Sequence, residues 1–376
     1  MTIRLSLGHI DTYDDRVATF AHQLGLSGVQ LHTPDLLPGE DGHWSLSELR
    51  ALRDRCDADG LAIDGLENVP LAHFWKIQRG LPGRDEQIEN YRKTIRNLAA
   101  VGIDLLGYNF LATYVWRTDM AAAGRGGAKV TTFDLADVSR GNALAGYRLT
   151  PDHPVEEPIT ADDMWANHQY FLDAVLPVAE EAGVRLALHP DDPPVDQPLG
   201  GIARIFTSPA AIARARAQAG GSPSWGLNLC LGTVSEMAGE ESINEVIDLL
   251  GPQVFYVHFR DVRGTVPRFT ECFLGEGNFD PARVIRRLEA AGFDGFLIDD
   301  HVPAMIGDLD TWGDTSSAAY CSRGRAHAIG YLQGVLNGLG LDGPAAREAV
   351  HVPGARGAGP VQDRPAAGVQ GCSSAQ

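Results

Sequence analysis

The feature that most constrains the fold is a regular alternation of short apolar runs with longer amphipathic segments. Eight runs are candidates for buried strands, at residues 4–8, 28–32, 61–67, 104–110, 184–190, 225–230, 254–260 and 295–301. Helical patterns lie between them, near residues 14–25, 46–59, 86–101, 163–182, 209–219, 240–250, 281–291 and 318–338. Strands that alternate with helices pair in parallel through right-handed crossovers. Eight such units predict a closed (β/α)8 TIM barrel with long loops after its strands.

An open, doubly wound sheet is the alternative arrangement for the same pattern. The sequence offers no G-x-G-x-x-G motif after the first strand, where "HIDTYDD" follows. Local signals support the helix boundaries. Ser45 and Glu48 have the spacing of a capping box, and "AVGI", "AGVR" and "AAGF" each place a glycine directly after a helix, where a left-handed stop is common.

Composition excludes several classes of protein. The chain has 31 Lys and Arg against 49 Asp and Glu, a formal charge of −18, which disfavours nucleic acid and anionic membranes as partners. No apolar run approaches the roughly 18 residues that span a bilayer, and the N-terminus lacks a secretory pattern, so a cytoplasmic location is expected. The five cysteines include no C-x-x-C pair, which argues against a disulfide framework.

We expect one barrel domain over residues 1–340. A long insertion at about 114–161 follows the fourth strand and is expected to cover the mouth of the barrel. Residues 341–376 are rich in Gly, Ala and Pro without apolar periodicity, which predicts a disordered tail.

Four consecutive predicted strands end in side chains that bind metals. These are His189, Cys230, His258 and Asp300. The carboxyl ends of parallel barrel strands meet at one mouth, so the four side chains should converge there. Imidazole, thiolate and carboxylate together suit Mn²⁺, Fe²⁺, Co²⁺, Ni²⁺ or Zn²⁺, whereas the thiolate argues against Mg²⁺ and Ca²⁺. Asp299 competes with Asp300, but strand alternation places the two on opposite faces and favours Asp300.

Further polar residues lie near the same strand ends. Glu67 and Asn109 come at or near the ends of the third and fourth strands, and Asp192, Arg260 and His301 flank the metal-ligand candidates. Arg117 is a candidate clamp for a carboxylate, because a guanidinium pairs with it through two hydrogen bonds. Glu271 follows the seventh strand, and Tyr320 and Arg325 lie near the last helix.

Several stretches resemble the mannonate dehydratase family. They are "LPVAEEAGVRLALHPDDPP", "YVHFRDVRGTVPRFTECFLGEGNFD", "DDHVPAMIGD" and "GRAHAIGYLQG", together with "ENYRKTIRNLAAVGIDLLGYNF" and "WRTD". The resemblance covers residues 4–338. It implies a xylose-isomerase-like barrel that typically uses Mn²⁺ and removes water from D-mannonate, an anionic sugar acid, to give 2-keto-3-deoxygluconate. It implies His189, Cys230, His258 and Asp300 as the ligands.

The resemblance implies a role for Tyr320, and the roles of the other candidates follow from their residue types and places near the strand ends. Tyr320 holds the place of a catalytic tyrosine, and Tyr320 and His301 are the candidate pair for proton transfer, with the roles of acid and base left open. Arg117 and Asp192 are further catalytic candidates. The candidates for substrate binding are Asn109, Glu67, Arg325 and Arg260. Barrel relatives often form dimers, so a homodimer is an alternative to a monomer.

One departure from the family's pattern bears on the substrate. The family usually reads Met-Arg-Pro-Asp-His before the last ligand, whereas this chain has Ile298 and Asp299 in place of Arg-Pro. A different sugar acid therefore remains an alternative substrate. Two other functions also remain open: a metal-dependent sugar isomerase or epimerase, and a metal-binding barrel with changed chemistry.

Overall fold

A computed structural model describes residues 3–144, 155, 157–308 and 319–341, and its centre is a closed barrel of eight parallel strands. In order around the barrel these are β1 (Arg4–Ile10), β2 (Gly28–His32), β3 (Ala62–Glu67), β4 (Leu105–Asn109), β7 (Arg185–His189), β8 (Trp225–Cys230), β9 (Val254–Phe259) and β12 (Phe296–Asp299). β12 pairs with β1 and closes the barrel. Each strand overlaps one of the eight predicted runs, so the barrel prediction is confirmed and the open sheet is wrong.

Helices cover the outside of the barrel. They are α1 (Asp15–Gln23), α2 (Leu46–Ala58), α3 (Trp75–Arg79), α4 (Arg84–Ala100), α5 (Ala161–Ala182), α6 (Pro209–Gln218), α7 (Leu231–Ala238), α8 (Glu240–Leu250), α9 (Pro281–Ala290) and α10 (Ser322–Leu339). The predicted capping box of α2 is confirmed, because the Glu48 backbone N–H donates to Ser45 Oγ and the Ser45 backbone N–H donates to the Glu48 carboxylate. The short helices α3 and α7 were not predicted.

A second, antiparallel sheet stands outside the barrel and was not predicted. Its strands are β5 (Asp119–Ala123), β6 (Lys129–Asp134), β10 (Asp261–Thr265) and β11 (Arg268–Cys272), in the order β10-β11-β6-β5. Part of the predicted insertion therefore forms a hairpin that pairs with the segment after β9. β5 reads "DMAAA" and has no fully buried residue, so its sequence lacks the apolar run that marks a strand.

Other predictions about domains are not decided by these residues. The segments 145–154 and 342–376 lie outside the described residues, so the predicted cover over all of 114–161 and the predicted tail stay predictions, as does the single domain over 1–340. Within the described part, no helix has the length and apolarity needed to cross a membrane. In that part, Cys56, Cys230 and Cys272 form no disulfide bond.

Alternation along β12 separates the inside of the barrel from the layer under the helices. Leu297 is completely buried in the main core. Ile298 belongs instead to a small apolar cluster with residues of β4, β7 and β9 inside the barrel. Asp300, two residues after Ile298, lines a cavity at the carboxyl ends of the strands. The barrel interior is thus an apolar plug that lies beneath a polar mouth.

A buried chain of hydrogen bonds ties α5 to the barrel. Trp225 Nε1 donates to Tyr108 Oη (3.0 Å), and Tyr108 Oη donates to His168 Nε2 (3.1 Å). His168 Nδ1 then donates to Gln218 Oε1 (2.7 Å), on α6. This arrangement requires a neutral imidazole, and burial lowers the pKa of His168 to about 4.

The chain should lose stability in mild acid because of His168. Its pKa is about 4 in the fold and about 6.5 in the unfolded chain, so the unfolded state binds more protons between these values. Stability contributed by the neutral imidazole is therefore lost as pH falls from 6.5 towards 4, by about 2 kcal/mol between pH 7 and pH 5. Urea unfolding at both pH values checks this. His168→Asn should be less stable at pH 7 but show a smaller loss on acidification, and an equal loss would contradict the prediction.

Candidate active site

Four side chains from consecutive strands of the second half of the barrel converge at the mouth. Ligand atoms of His189, Cys230 and His258 lie within 4.8 Å of one another, and all three residues are buried. Asp300 joins them, because its Oδ2 lies 3.5 Å from His258 Nδ1 and 3.8 Å from Cys230 Sγ. The register explains this convergence, since Cys230 on β8 is paired directly with His258 on β9. The structure therefore brings together all four residues that the strand ends indicated.

Hydrogen bonds fix the orientation of both imidazoles. His189 Nδ1 bonds the Pro190 carbonyl oxygen (2.7 Å), which leaves Nε2 available as a ligand. His258 Nε2 bonds the Glu67 carboxylate (2.9 Å), which leaves Nδ1. That Nδ1 is buried and has no hydrogen-bond partner in the described part of the chain. A buried imidazole nitrogen without a partner beside a thiol and a carboxylate is suited to bind a cation.

The charge state of the cluster also fits a divalent metal. Burial alone would raise the pKa of the Cys230 thiol, but the Arg260 guanidinium and His189 outweigh it and hold that pKa well below its usual value. Thr233 Oγ1 donates to Cys230 Sγ (3.1 Å), which stabilises a thiolate. Burial also opposes ionisation of Asp300, yet His301 and His258 keep its pKa well below the usual range. A thiolate, a carboxylate and two imidazoles form a donor set for a borderline transition metal or Zn²⁺.

Glu67 lies beneath the cluster and holds His258. Its Oε2 accepts hydrogen bonds from His258 Nε2 (2.9 Å), Tyr256 Oη (2.9 Å) and Gln30 Nε2 (3.0 Å). Its Oε1 accepts from Asn228 Nδ2 (3.3 Å). Burial is outweighed by His258, and the pKa of Glu67 is lowered to about 2. Glu67 also lines the cavity, and its predicted contact with the substrate stays a prediction.

Replacing Glu67 should therefore affect the metal more than the substrate. Glu67→Gln keeps the shape but removes the charge that fixes the His258 ring. Losses of about 10- to 100-fold in metal affinity are typical when such an orienting carboxylate is removed, and we expect that range for Mn²⁺, measured by titration calorimetry. The matched control is Glu276→Gln, whose side chain pairs with Arg125 and Arg263 away from the cluster. Unchanged Mn²⁺ affinity in Glu67→Gln would contradict this role.

The guanidinium group of Arg117 is bonded to protein acceptors. Its Nη1 donates to Asp192 Oδ1 (2.5 Å) and to the Trp116 carbonyl oxygen (3.1 Å). Its Nη2 donates to Asp192 Oδ2 (2.8 Å) and Glu271 Oε1 (3.0 Å), and its Nε donates to Thr131 Oγ1 (3.1 Å). A guanidinium has five N–H groups, and all five are used. Arg117 lines the cavity, and its role as a clamp for a substrate carboxylate, which would require an exchange of these bonds, stays a prediction.

Arg260 is likewise part of the supporting structure. It is completely buried and does not line the cavity. Its Nη2 donates to Asp192 Oδ2 (2.8 Å) and its Nη1 to Glu236 Oε1 (2.9 Å). Its Nε lies 3.3 Å from Asp300 Oδ2. Arg260 therefore supports the metal-ligand candidates, and its predicted contact with the substrate stays a prediction.

Asp192 lies between these two arginines. Burial would raise its pKa, but Arg117 and Arg260 hold that pKa well below the usual range. A carboxylate that is held ionised by two guanidinium groups is a poor proton acceptor. Asp192 therefore anchors Arg117 and Arg260, and its predicted catalytic role stays a prediction.

Asn109 and Arg325 both line the cavity. Asn109 Nδ2 donates to Asn68 Oδ1 (2.9 Å), which leaves its second amide hydrogen available. Arg325 Nε donates to Asp299 Oδ2 (2.7 Å), and its Nη2 donates to the Gly8 carbonyl oxygen. Substrate contacts by Asn109 and Arg325 stay predictions.

Tyr320 and His301 are placed on either side of Asp300. Tyr320 Oη donates to Asp300 Oδ1 (3.0 Å), and His301 Nε2 lies 3.8 Å from the same oxygen. His301 Nδ1 bonds Glu271 Oε1 (2.5 Å), which leaves Nε2 facing the mouth. Burial and Asp300 raise the pKa of Tyr320 well above its usual value, so the phenol keeps its proton. Burial opposes protonation of His301, but Glu271 and Asp300 outweigh it and raise the pKa of the imidazole.

The sequence reasoning missed the residues of the first two strands that line the mouth. His9 lies in β1 and His32 ends β2, and both line the cavity with Tyr114. The missed signal was the one used for the later strands, because "LGHI" and "VQLH" each carry a histidine at or near a strand end. Ile298 in contrast is buried inside the barrel and does not line the cavity.

The fold and the site together define a class of protein, the xylose-isomerase-like barrel enzymes with metal-binding residues at the mouth. A crystal structure of D-psicose 3-epimerase from Clostridium cellulolyticum H10 shares this fold, with a TM-score of 0.56 and 13% identity over 91% of this chain and 100% of that chain. A crystal structure of mannonate dehydratase from Streptococcus suis serotype 2 is more similar, with a TM-score of 0.75 and 26% identity over 91% of this chain and 97% of that one.

The chain belongs to the D-mannonate dehydratase family. The model of that family matches residues 15–341. Mannonate dehydratase 2 of Halalkalibacterium halodurans is 31% identical over 330 residues, which are 83% of this chain and 92% of the relative. Mannonate dehydratase of Shouchella clausii is 30% identical over 85% of this chain and 92% of that relative. The resemblance found in the sequence is confirmed, and the family assignment makes the chain a hydro-lyase rather than an isomerase or epimerase.

Proposed function

We propose that this protein removes water from D-mannonate, or from a close analogue, and forms the 2-keto-3-deoxy acid with Mn²⁺ bound at the mouth. The main support for this proposal is that one carboxylate, Asp300, lies close both to His258 and Cys230 and to the proton-transfer candidates Tyr320 and His301. The cavity above them has a volume of about 1060 Å³, which is ample for a six-carbon sugar acid.

Four side chains would hold the metal: His189 through Nε2, His258 through Nδ1, Cys230 through its thiolate and Asp300 through its carboxylate. Bound there, a divalent cation supplies a Lewis acid that increases the acidity of the proton on C2 of the sugar acid. Arg260 and Thr233 keep the anionic ligands in place, and Glu67 fixes the ring of His258.

The reaction itself is a β-elimination that needs one proton acceptor and one proton donor. We assign the acceptor to His301, because its Nδ1 is held by Glu271 and its Nε2 faces the mouth. Nε2 takes the proton from C2, and the Glu271 carboxylate stabilises the resulting imidazolium. We assign the donor to Tyr320, whose phenol keeps its proton. The Tyr320 proton passes to the C3 hydroxyl, which leaves as water, and the enol product tautomerises to the 2-keto acid.

A substrate screen tests the proposal. Protein loaded with Mn²⁺ is incubated with a panel of aldonic and uronic acids, and 2-keto-3-deoxy products are detected. We expect turnover of D-mannonate that disappears on removal of metal with a chelator and returns with Mn²⁺. A rearranged sugar without a deoxy product, full activity after metal removal, or Mn²⁺ binding without turnover of any acid would each overturn it.

A further inference from the structure

Three aromatic rings are stacked along the wall of the mouth formed by β1 and β2. The His9 ring lies 3.8 Å from the Tyr320 ring, with an angle of 9° between the ring planes. On its other side the His9 ring lies 4.1 Å from the ring of His32. Tyr320 reaches Asp300, and the stack as a whole lines the cavity at the mouth. It therefore borders the space in which the rest of a bound substrate chain would lie.

The backbone of His9 is held in a conformation that such residues rarely adopt. Its φ is 50°, in the left-handed region, which costs a residue with a side chain about 1 kcal/mol or more. Surrounding contacts compensate. The His9 backbone N–H donates to Gln30 Oε1 (2.9 Å), and the Gly8 N–H donates to Asp299 Oδ1 (3.0 Å). Arg325 donates to the Gly8 carbonyl oxygen and, through Nε, to Asp299 Oδ2 (2.7 Å).

Ile298 and Asp299, at the end of β12, take part in this support. A Cβ atom on Gly8 would lie 2.4 Å from the Cβ of Ile298 and 2.8 Å from the carbonyl oxygen of Asp299. Ile298 therefore fits beside β1 because residue 8 is a glycine, and Asp299 bonds the backbone of that glycine. Ile298 and Asp299 are thus connected through Gly8 to the position of the His9 ring.

The ring nitrogens of His9 have no protein partner in the described part of the chain, and the side chain lines the cavity. Burial, together with the neighbouring His32, holds the pKa of His9 well below its ordinary value. A neutral imidazole donates one hydrogen bond and accepts another. That pair of functions matches a hydroxyl group, which also donates and accepts.

We propose that His9 is a specificity-determining residue that hydrogen-bonds a hydroxyl of the substrate beyond C4, with Asp299 and Arg325 as the positioning residues that hold it there. This inference rests on the proposed function. It identifies the substrate class as polyhydroxylated acids longer than four carbons, because a shorter acid has no hydroxyl beyond C4 for His9 to bind.

The test compares two substrates in variants that keep the ring stack. His9→Phe preserves the aromatic wall but removes both nitrogens. For D-mannonate we expect kcat/KM to fall about tenfold, mainly through KM, as for loss of one hydrogen bond to a neutral group. For a four-carbon aldonic acid with the same configuration at C2 and C3, the change should stay below about twofold, since no such bond is lost. His22→Phe, on the exposed side of α1, is the matched control.

Asp299→Asn tests the positioning residues. It should raise KM for D-mannonate, as His9→Phe does. The double variant should have a KM no higher than that of His9→Phe alone, because both changes remove the same interaction. Equal losses on both acids would show that His9 only supports Tyr320, and additive losses would show that Asp299 acts elsewhere. Either result overturns the corresponding assignment.

Failure of the proposed function can be distinguished from failure of the inference about His9. If the wild-type protein binds D-mannonate in calorimetry but does not dehydrate it, the proposed reaction fails. The inference about His9 is then tested by binding alone. The dissociation constant for D-mannonate should be about tenfold higher in His9→Phe than in the wild type. If the wild type binds neither acid, both proposals are overturned.

Discussion

Replacing Cys230 by serine is expected to weaken Mn²⁺ binding and dehydratase activity together, by more than the roughly 10- to 100-fold seen when only an orienting neighbour is lost. The thiolate lies at the centre of the cluster, within 4.8 Å of the ligand atoms of both histidines. A serine hydroxyl does not ionise at neutral pH, so the variant loses a negative charge as well as a soft donor. Arg260, whose Nε has no hydrogen-bond partner in the described part, then has less negative charge beside it.

Two measurements separate loss of the ligand from loss of the fold. Calorimetric titration gives the Mn²⁺ affinity, and the near-ultraviolet absorption of Co²⁺-loaded protein reports a bond from thiolate to metal, which Cys230→Ser should lack. Cys272→Ser is the matched control, because Cys272 is a buried thiol in β11 whose pKa is raised by burial. Wild-type affinity for Mn²⁺ in Cys230→Ser would exclude Cys230 as a ligand.

Replacing Tyr320 by phenylalanine is expected to lower kcat about 10²- to 10⁴-fold, the range typical for loss of a proton donor. The variant keeps the ring that stacks on His9 and removes only the hydroxyl that donates to Asp300. Since Tyr320 is not among the metal-ligand candidates, Mn²⁺ affinity should change by less than about tenfold. In Tyr320→Phe activity should fall while metal binding persists, whereas in Cys230→Ser both should fall together.

Steady-state kinetics and calorimetry on the same preparation test this separation. The matched control is Tyr331→Phe, on α10, whose half-buried phenol lies outside the cavity. A kcat for Tyr320→Phe within threefold of the wild type would remove the phenol from the proton-transfer steps. Loss of Mn²⁺ binding instead would make Tyr320 part of the metal site.

The sequence predicted the barrel well because the signal for each strand is local. "GVQLH" and "WGLNLC" coincide with β2 and β8 to the residue, since a strand covered on both sides forms a short run that is largely apolar. The outer sheet was missed for the converse reason. β5 alternates between exposed and half-buried residues, and it is a strand only because β6 pairs with it.

For the candidate site, too, the sequence predicted one part and not the other. Strand ends and chain order were sufficient to bring His189, Cys230, His258 and Asp300 to one rim, because parallel strands of a barrel all end at the same mouth. Strand ends and chain order do not predict which groups the polar side chains bond. Arg117 was interpreted as a substrate clamp, yet its five N–H groups are taken by acceptors that come from segments as distant as Asp192 and Glu271.

By itself, then, the sequence determined the barrel, the strand-end cluster and the family, since each depends on periodicity, chain order or a run of adjacent residues. Only the tertiary structure decided which charged residues are free to act. Glu67, Arg117 and Arg260 are held by partners far away along the chain, and His9 faces the mouth because Asp299 and Arg325 hold the residue before it. A hydrogen bond between distant segments leaves no periodic signal, because each of its two halves is an ordinary polar residue in its own neighbourhood.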